Sequence, residues 1–236
     1  MNIIDITIDL ETTALTPHAA IMQLAAVAWD RNAETIGKMF LTDAKTAEDT
    51  QHFCRTIDIN EQFVSGQFDF DPQTSQWWGS QNDEAKAAVL NTSNRYFLKT
   101  ALVDLDHWLR EIKSIYKANH IYVWCQGTDF DIPILRNAAV VTGCEKLLPI
   151  SLPHKFYRDC RTALYEAVNA FPSLYGPYTA EEYLEDPTRC YEAMPPLPES
   201  FGTREQAHGA LYDCIRSSWY TWQALSIFHV TADTNK

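Results

Sequence analysis

Ile4-Asp5-Ile6-Thr7-Ile8-Asp9-Leu10-Glu11 alternates apolar and polar side chains without a break. Successive side chains on a β-strand point to opposite faces. Ile4, Ile6, Ile8 and Leu10 therefore predict a buried face, and Asp5, Thr7, Asp9 and Glu11 share the other. The strand ends in two acids two positions apart, so both carboxylates can serve one site. Such a pair on its own describes a solvated strand end more often than a reactive one, and its meaning depends on what accompanies it.

Working outward, residues 21–30 and 34–42 read as two further strands separated by the turn-like Arg31-Asn32, giving three antiparallel strands in a meander. The stretch 73–91 reads as a helix with Trp77, Trp78, Ala85, Ala88 and Val89 near one stripe. A longer helix over 95–117 carries Leu98, Leu102, Leu105, Leu109 and Ile112. A compact strand follows at 120–125, and helical spacing resumes through Ile132, Leu135 and Val140. That β–α alternation belongs to a partly parallel sheet. A short strand or loop near 154 leads into a helix through Leu164 and Val168, and a last amphipathic helix covers about 206–228. Between them, 171–203 is rich in Pro and Tyr, including Pro172, Pro195, Tyr175 and Tyr191, and is expected to be a structured insertion or lid within a single domain spanning 1–236.

The 236 residues are 46% hydrophobic, enough for one sizeable core. The formal net charge of −12 argues against a protein that coats nucleic acid through a broad basic surface. It leaves room for a carboxylate cleft that inverts its local field by holding cations. Six scattered cysteines, without a C-x-x-C pair, suit reduced thiols and a cytoplasmic protein rather than a disulfide framework or zinc site. No apolar run reaches the roughly 18 residues of a membrane span, and the chain is read as soluble and unsecreted.

Two more segments carry acids. Gln126-Gly127-Thr128-Asp129-Phe130-Asp131 directly follows the strand at 120–125. Pro133 fits a helix best in its first turn, so a helix starting near Phe130 puts Asp131 at its mouth, with Asp129 as an N-cap. In His208-Gly209-Ala210-Leu211-Tyr212-Asp213, five positions on one helix would separate the side chains by roughly 140°. His208 must therefore lie in the loop or first turn for the two to meet, and Gly209 permits that. Phosphodiester hydrolysis needs a nucleophilic hydroxide and charge compensation on two oxygens, which two divalent ions held by several carboxylates supply.

Asp9-Leu-Glu11-Thr-Thr, Phe130-Asp131 and His208-x-x-x-x-Asp213 resemble, in order and spacing, the three exonuclease motifs of the DnaQ-like, DEDDh-type superfamily. Trp77-Trp78 with Gln81 and Ala85, and Tyr157-Arg158-Asp159-Cys160-Arg161-Thr162, resemble the branch containing phage exonuclease A and mycobacterial exoribonuclease-like proteins. The resemblance covers residues 3–228, while Gln126 replaces a common Asn or Gly and 171–203 has no counterpart. It implies an α/β, ribonuclease H-like fold whose mixed five-stranded sheet, three antiparallel strands and then parallel ones, is flanked by helices. It implies a 3′–5′ exonuclease in which Asp9, Glu11, Asp131 and Asp213 ligate two Mg²⁺ or Mn²⁺ ions. His208 would take the proton of the attacking water, a task suited to imidazole near neutral pH.

By the same resemblance Thr12, Thr13 and Leu15 would line the terminal nucleotide, though Thr13 serves equally as a local turn hydrogen-bonder. Of Trp77 and Trp78, which face different directions, one is expected in the core and the other at the surface or cleft, and Trp78 is a candidate for base stacking. Arg158 and Arg161 either bind phosphate or pair with Asp159. The expected partner is the 3′ end of a single-stranded nucleic acid, RNA or DNA, with no membrane role and a homodimer left open. Two rivals remain: a non-catalytic binding or scaffold relative of the same fold, and a phosphodiesterase restricted to short oligonucleotides.

Overall fold

Ile3–Thr12 forms strand β1, and Ile21–Trp29 (β2) runs antiparallel beside it, with Asp9 opposite Ala25 and Glu11 opposite Gln23. His52–Thr56 (β3) adds to the far side of β2, again antiparallel. On the other flank His120–Cys125 (β4) lies parallel to β1, and the short Tyr157–Asp159 (β5) lies parallel to β4. The order β3-β2-β1-β4-β5 thus puts the alternating strand at the centre. The computed structural model describes residues 3–40, 52–90, 93–147, 154–170, 194–202 and 206–234, with Glu182 and Arg189.

Ile4, Ile6, Ile8 and Leu10 pack into a core with Leu98–Ile115 (α5) and Thr128–Thr142 (α6). The α5 residues Leu98, Leu102, Leu105, Leu109 and Ile112 recur every three or four positions, so one stripe is buried and the rest is left to water. The opposite face of the sheet is covered as well, by Cys160–Ala170 (α7) and Ala210–Thr234 (α8). Every polar side chain on that face of β1 therefore needs a partner. Thr7 has two, the indole N–H of Trp29 at 3.0 Å and the hydroxyl of Ser218 at 2.8 Å. Asp5, 0% exposed, takes both arms of the Arg31 guanidinium and the Trp124 indole N–H at 2.6 Å. Burial still holds its carboxyl above the usual range, against the pull of Arg31.

Two expected elements differ. The strand anticipated at 34–42 is the single helical turn Ile36–Met39 (α1), followed by one bridge from Phe40 to Trp29, and Leu41 and Thr42 lie outside the described residues. Met39 and Phe40 are consecutive and both buried, which a half-exposed strand cannot arrange. The third antiparallel strand is β3 instead. The helix anticipated at 73–91 is two, Pro72–Ser80 (α3) and Asp83–Leu90 (α4), because Gln81 turns to extended backbone and the Asn82 side chain accepts the Ala85 N–H at 2.8 Å as a new cap. Between β3 and α3 lies Ile59–Ser65 (α2), whose Gln62 side chain bonds both backbone groups of Ile21. Of the Pro- and Tyr-rich segment 171–203, Met194 is buried and Pro195 accepts the Trp219 indole N–H at 3.0 Å, so its last part packs on α8. Most of the rest is outside the described residues.

Removing one partner of a buried ion pair strands the other. Asp5→Ala is expected to cost roughly 3 kcal/mol of unfolding free energy by urea denaturation. A loss below about 1 kcal/mol, the worth of an exposed pair, would show that Arg31 finds equal solvation elsewhere.

Candidate active site

The carboxylates of Asp9, Glu11 and Asp213 offer oxygens that all lie within 4.8 Å of one another. Asp9 and Glu11 come from the last part of β1, two residues apart on the face that α8 covers, and Asp213 projects from the first turn of α8. The approach of α8 is fixed by Gln23, the cross-strand neighbour of Glu11. Its side-chain carbonyl accepts the Ala210 N–H at 2.8 Å, and its amide donates to the Ala88 carbonyl at 3.0 Å.

Asp131, 2% exposed, reaches the same strand from α6 and accepts the Leu10 N–H at 3.2 Å, beyond the last parallel pair of β1 with β4. It stands outside the trio whose oxygens meet within 4.8 Å, yet close enough to repel both Asp9 and Glu11. Helix α6 begins two residues earlier than the sequence pattern suggested. Gly127, at φ 110°, is its N-cap instead of Asp129, and Pro133 falls in the second turn rather than the first. The exposed first N–H is satisfied from outside the helix, Thr128 donating to the Asp159 carboxylate at 3.3 Å.

His208 lies just ahead of α8 with its backbone in the left-handed region at φ 66°, so the 140° divergence of a continuous helix does not arise. Its N–H donates to Asp213 at 3.2 Å, tying the imidazole-bearing turn to the acid cluster. A Cβ at Gly209 would meet the Gln206 carbonyl at 3.3 Å and the Ala88 methyl at 3.7 Å, so the turn is closely backed by α4.

Burial is the largest influence on all four acids. It pushes Asp9 and Glu11 well above the carboxylate range, with repulsion from their neighbours adding to it. It raises Asp213, and it carries Asp131 up to about 7 against the bond from Leu10. Arg216, one turn along α8, pairs with Asp213 at 2.9 Å and lowers Asp9, Glu11 and Asp213. Every ligand atom here is a hard oxygen, the donor type Mg²⁺ and Mn²⁺ take, and a crowded, desolvated cluster of like charge favours a cation. Cys125, Cys160 and Cys214 pack nearby as fully buried free thiols that burial keeps protonated, Cys160 being pushed up to about 12.

Beside the acids opens a cleft of about 360 Å³ lined by Leu10, Glu11, Thr12, Leu15, Trp77, Trp78 and Phe130 among others. Thr12 bonds its hydroxyl to the Ala14 carbonyl, and Leu15 is 75% exposed. Thr13 stays out of the cleft lining and spends its hydroxyl on Asp69 and Ala20, a local turn role. Trp78 is 5% exposed and donates to the Thr12 carbonyl at 3.0 Å, whereas Trp77 is 43% exposed and meets the His208 ring edge-on. Asp159 bonds Thr128 and Thr162. Arg158 bonds the carbonyls of Lys155 and Tyr157 and lies over the Tyr122 ring. Arg161 is exposed near Gly127 and close enough to lower Asp131.

Sequence reasoning passed over Gln23 and Arg216, and of the two tryptophans it chose Trp78 for base stacking, whereas Trp78 is the buried one and Trp77 the exposed one. Gln23 had a signal, as the lone polar residue in the otherwise apolar β2. Arg216 follows Asp213 at the helical i+3 spacing.

Residues 4–175 match the family described as 3′–5′ exoribonuclease Rv2179c-like domain. The exodeoxyribonuclease of enterobacteria phage T4 is 23% identical over 224 residues, covering 90% of this chain and 85% of the phage protein. Among solved structures, the nuclease domain of 3′hExo, a DEDDh family member bound to rAMP, superposes with a TM-score of 0.52 at 12% identity, covering 94% of this chain and 92% of that one. Exonuclease I superposes at 0.57 and 12% identity over 96% of this chain, which spans only 43% of it. The fold is thus that of the ribonuclease H-like, DEDDh-type exonucleases. The chain belongs to the Rv2179c-like family and is a 3′–5′ exonuclease.

The carboxyl shifts set a pH dependence. Unfolded carboxyls ionise near pH 4, whereas Asp131 in the fold keeps its proton to about 7. A raised carboxyl pKa means that stability present at low pH is lost as pH rises through that window. In EDTA, the unfolding free energy is expected to fall by a few kcal/mol between pH 4 and 8, and Mn²⁺ at pH 8 to restore the melting temperature. A flat melting temperature in EDTA across that range, or none regained with Mn²⁺, would contradict the repulsive cluster.

Proposed function

We propose that this exonuclease uses two divalent cations, Mg²⁺ or Mn²⁺, to remove nucleoside 5′-monophosphates from the 3′ end of single-stranded RNA or DNA. The observation that carries the reading is the meeting of Asp9, Glu11 and Asp213 oxygens beside Asp131, with His208 tied to the same cluster. In it, Asp9, Glu11, Asp131 and Asp213 hold the metals. When bound, such ions supply a hydroxide at neutral pH and charge compensation on the attacking and leaving oxygens. His208 takes the proton of the attacking water. The new P–O bond forms as the bond to the 3′ oxygen of the preceding nucleotide breaks, and that oxygen gains a proton to become the new 3′ hydroxyl.

The apolar cleft beside Glu11 is of a size to take the terminal base and sugar, with Thr12, Leu15 and Trp78 on its wall and Thr13 bracing the loop from behind. Arg161, exposed beside Asp131, is suited to a phosphate, and Arg158 is a further candidate for one. A single-stranded substrate suits an acidic protein without a broad basic surface. It also agrees with exonuclease I of E. coli, solved in complex with a dT13 oligonucleotide. One catalytic domain spans 1–236 with 171–203 as an insertion, and the reduced thiols fit the cytoplasm. No described helix is long and apolar enough to cross a membrane. Association of two copies would double the mass read by light scattering.

A 5′-labelled single strand incubated with Mn²⁺ is expected to shorten stepwise, while a 3′-labelled one loses its label at once. Asp9→Ala should abolish both. Matched RNA and DNA strands, and a dinucleotide beside a longer oligomer, rank the substrates. His208→Ala is expected to lower kcat by roughly 10²–10⁴-fold while Mn²⁺ binding persists. Unchanged turnover would remove the imidazole from the reaction.

A further inference from the structure

Trp77 joins two parts of the site that the chain supplies from opposite ends. Helix α3, which carries it, is fastened to the loop that follows Glu11. The Asp71 N–H donates to the Thr13 carbonyl at 2.9 Å, and the Trp78 indole N–H donates to the Thr12 carbonyl at 3.0 Å. The helix start is itself rigid, with Pro72 at its first turn and the Asp71 carboxylate accepting the N–H groups of Gln73 and Thr74. Trp77 then packs edge to face on Trp78, with centroids 5.0 Å apart. Its ring position is therefore set from β1.

The same ring also meets His208, centroids 4.9 Å apart and planes at 83°. The imidazole sits on a left-handed residue in front of a glycine, a stretch whose backbone alone leaves the ring several directions to point. Ties on the backbone, Gln23 to Ala210 and His208 N–H to Asp213, fix where the turn is. Among the described residues, Trp77 is the aromatic ring packed against the imidazole itself. T-shaped ring pairs favour one mutual orientation over others, and a proton acceptor displaced by about 1 Å can lose two orders of magnitude in rate.

We propose that Trp77 is a positioning residue that holds the His208 imidazole facing the carboxylate cluster, coupling its direction to the strand that carries Asp9 and Glu11. This rests on the nuclease reading given above and adds to it a residue outside the three motifs that carry the acids and the imidazole. Its indole remains 43% exposed and lines the cleft, so it can also touch substrate. The two roles separate kinetically: loss of a base-stacking platform weakens binding, whereas loss of imidazole orientation slows the chemical step.

Wild type, Trp77→Ala and Trp77→Phe are compared on a single-stranded oligonucleotide with Mn²⁺. Trp77→Ala is expected to lower kcat by roughly ten- to a hundredfold with KM changed far less, and Trp77→Phe to recover most of it. The second readout needs neither metal nor turnover. In histidine-labelled protein with EDTA, the His208 ring resonances, assigned by their loss in His208→Ala, should move toward their unfolded positions in Trp77→Ala and stay near wild type in Trp77→Phe. A raised KM at unchanged kcat, or His208 resonances indifferent to Trp77, would overturn the proposal. Full activity in Asp9→Asn would defeat the nuclease reading instead, while the resonances still report on the ring contact.

Discussion

Four carboxylates crowded into a largely desolvated corner of the fold, at the edge of an open cleft, repel one another, and the surrounding elements hold them there. Asp9 and Glu11 lie on a central strand with both faces of its sheet covered, which fixes their backbone beside the cleft. Asp131 is tethered by the Leu10 N–H and Asp213 by the His208 N–H and Arg216. Each tether offsets part of the repulsion without removing it. What remains is a standing affinity for positive charge, stored in the architecture and available to a cation.

That constraint explains the division of the molecule into a dry half and a half that carries chemistry. On one face of β1 the isoleucines meet the leucines of α5 in an ordinary apolar core. On the other, the polar groups form a graded series: Asp5 is paired with Arg31, Thr7 is satisfied by Trp29 and Ser218, and Asp9 and Glu11 are, in the function proposed above, left for the metals. Moving along the strand toward its end, internal partners give way to external ones. The cleft opens where that change occurs.

Much of this was legible in the chain because it depends on local periodicity. The alternation from Ile4 to Glu11 fixes which side chains share a face, and the apolar spacing of α5 survives unchanged in the fold. His208 and Asp213 could be brought together only by ending the helix between them, and the left-handed backbone at His208 does so. What escaped depends on tertiary contacts. The strand at His52–Thr56 is short and at the edge, with a single fully buried side chain, so its own sequence carries little signal. Helix α6 begins early because Asp159, thirty-one residues away, satisfies its first N–H. Gln23 and Arg216 matter through partners on other elements or through a charge field, and the exposed face of Trp77 depends on which way α3 is rolled by the bond from Trp78.

The most direct test is a count of metals. Titrating Mn²⁺ into the protein and following the free ion by electron paramagnetic resonance should show two ions bound per chain, with Asp9→Asn, which touches the strand where the acids meet, losing at least one of them. A protein that binds no Mn²⁺ at millimolar concentration, or binds it equally well without the Asp9 charge, would mean that the carboxylates gather for some other reason.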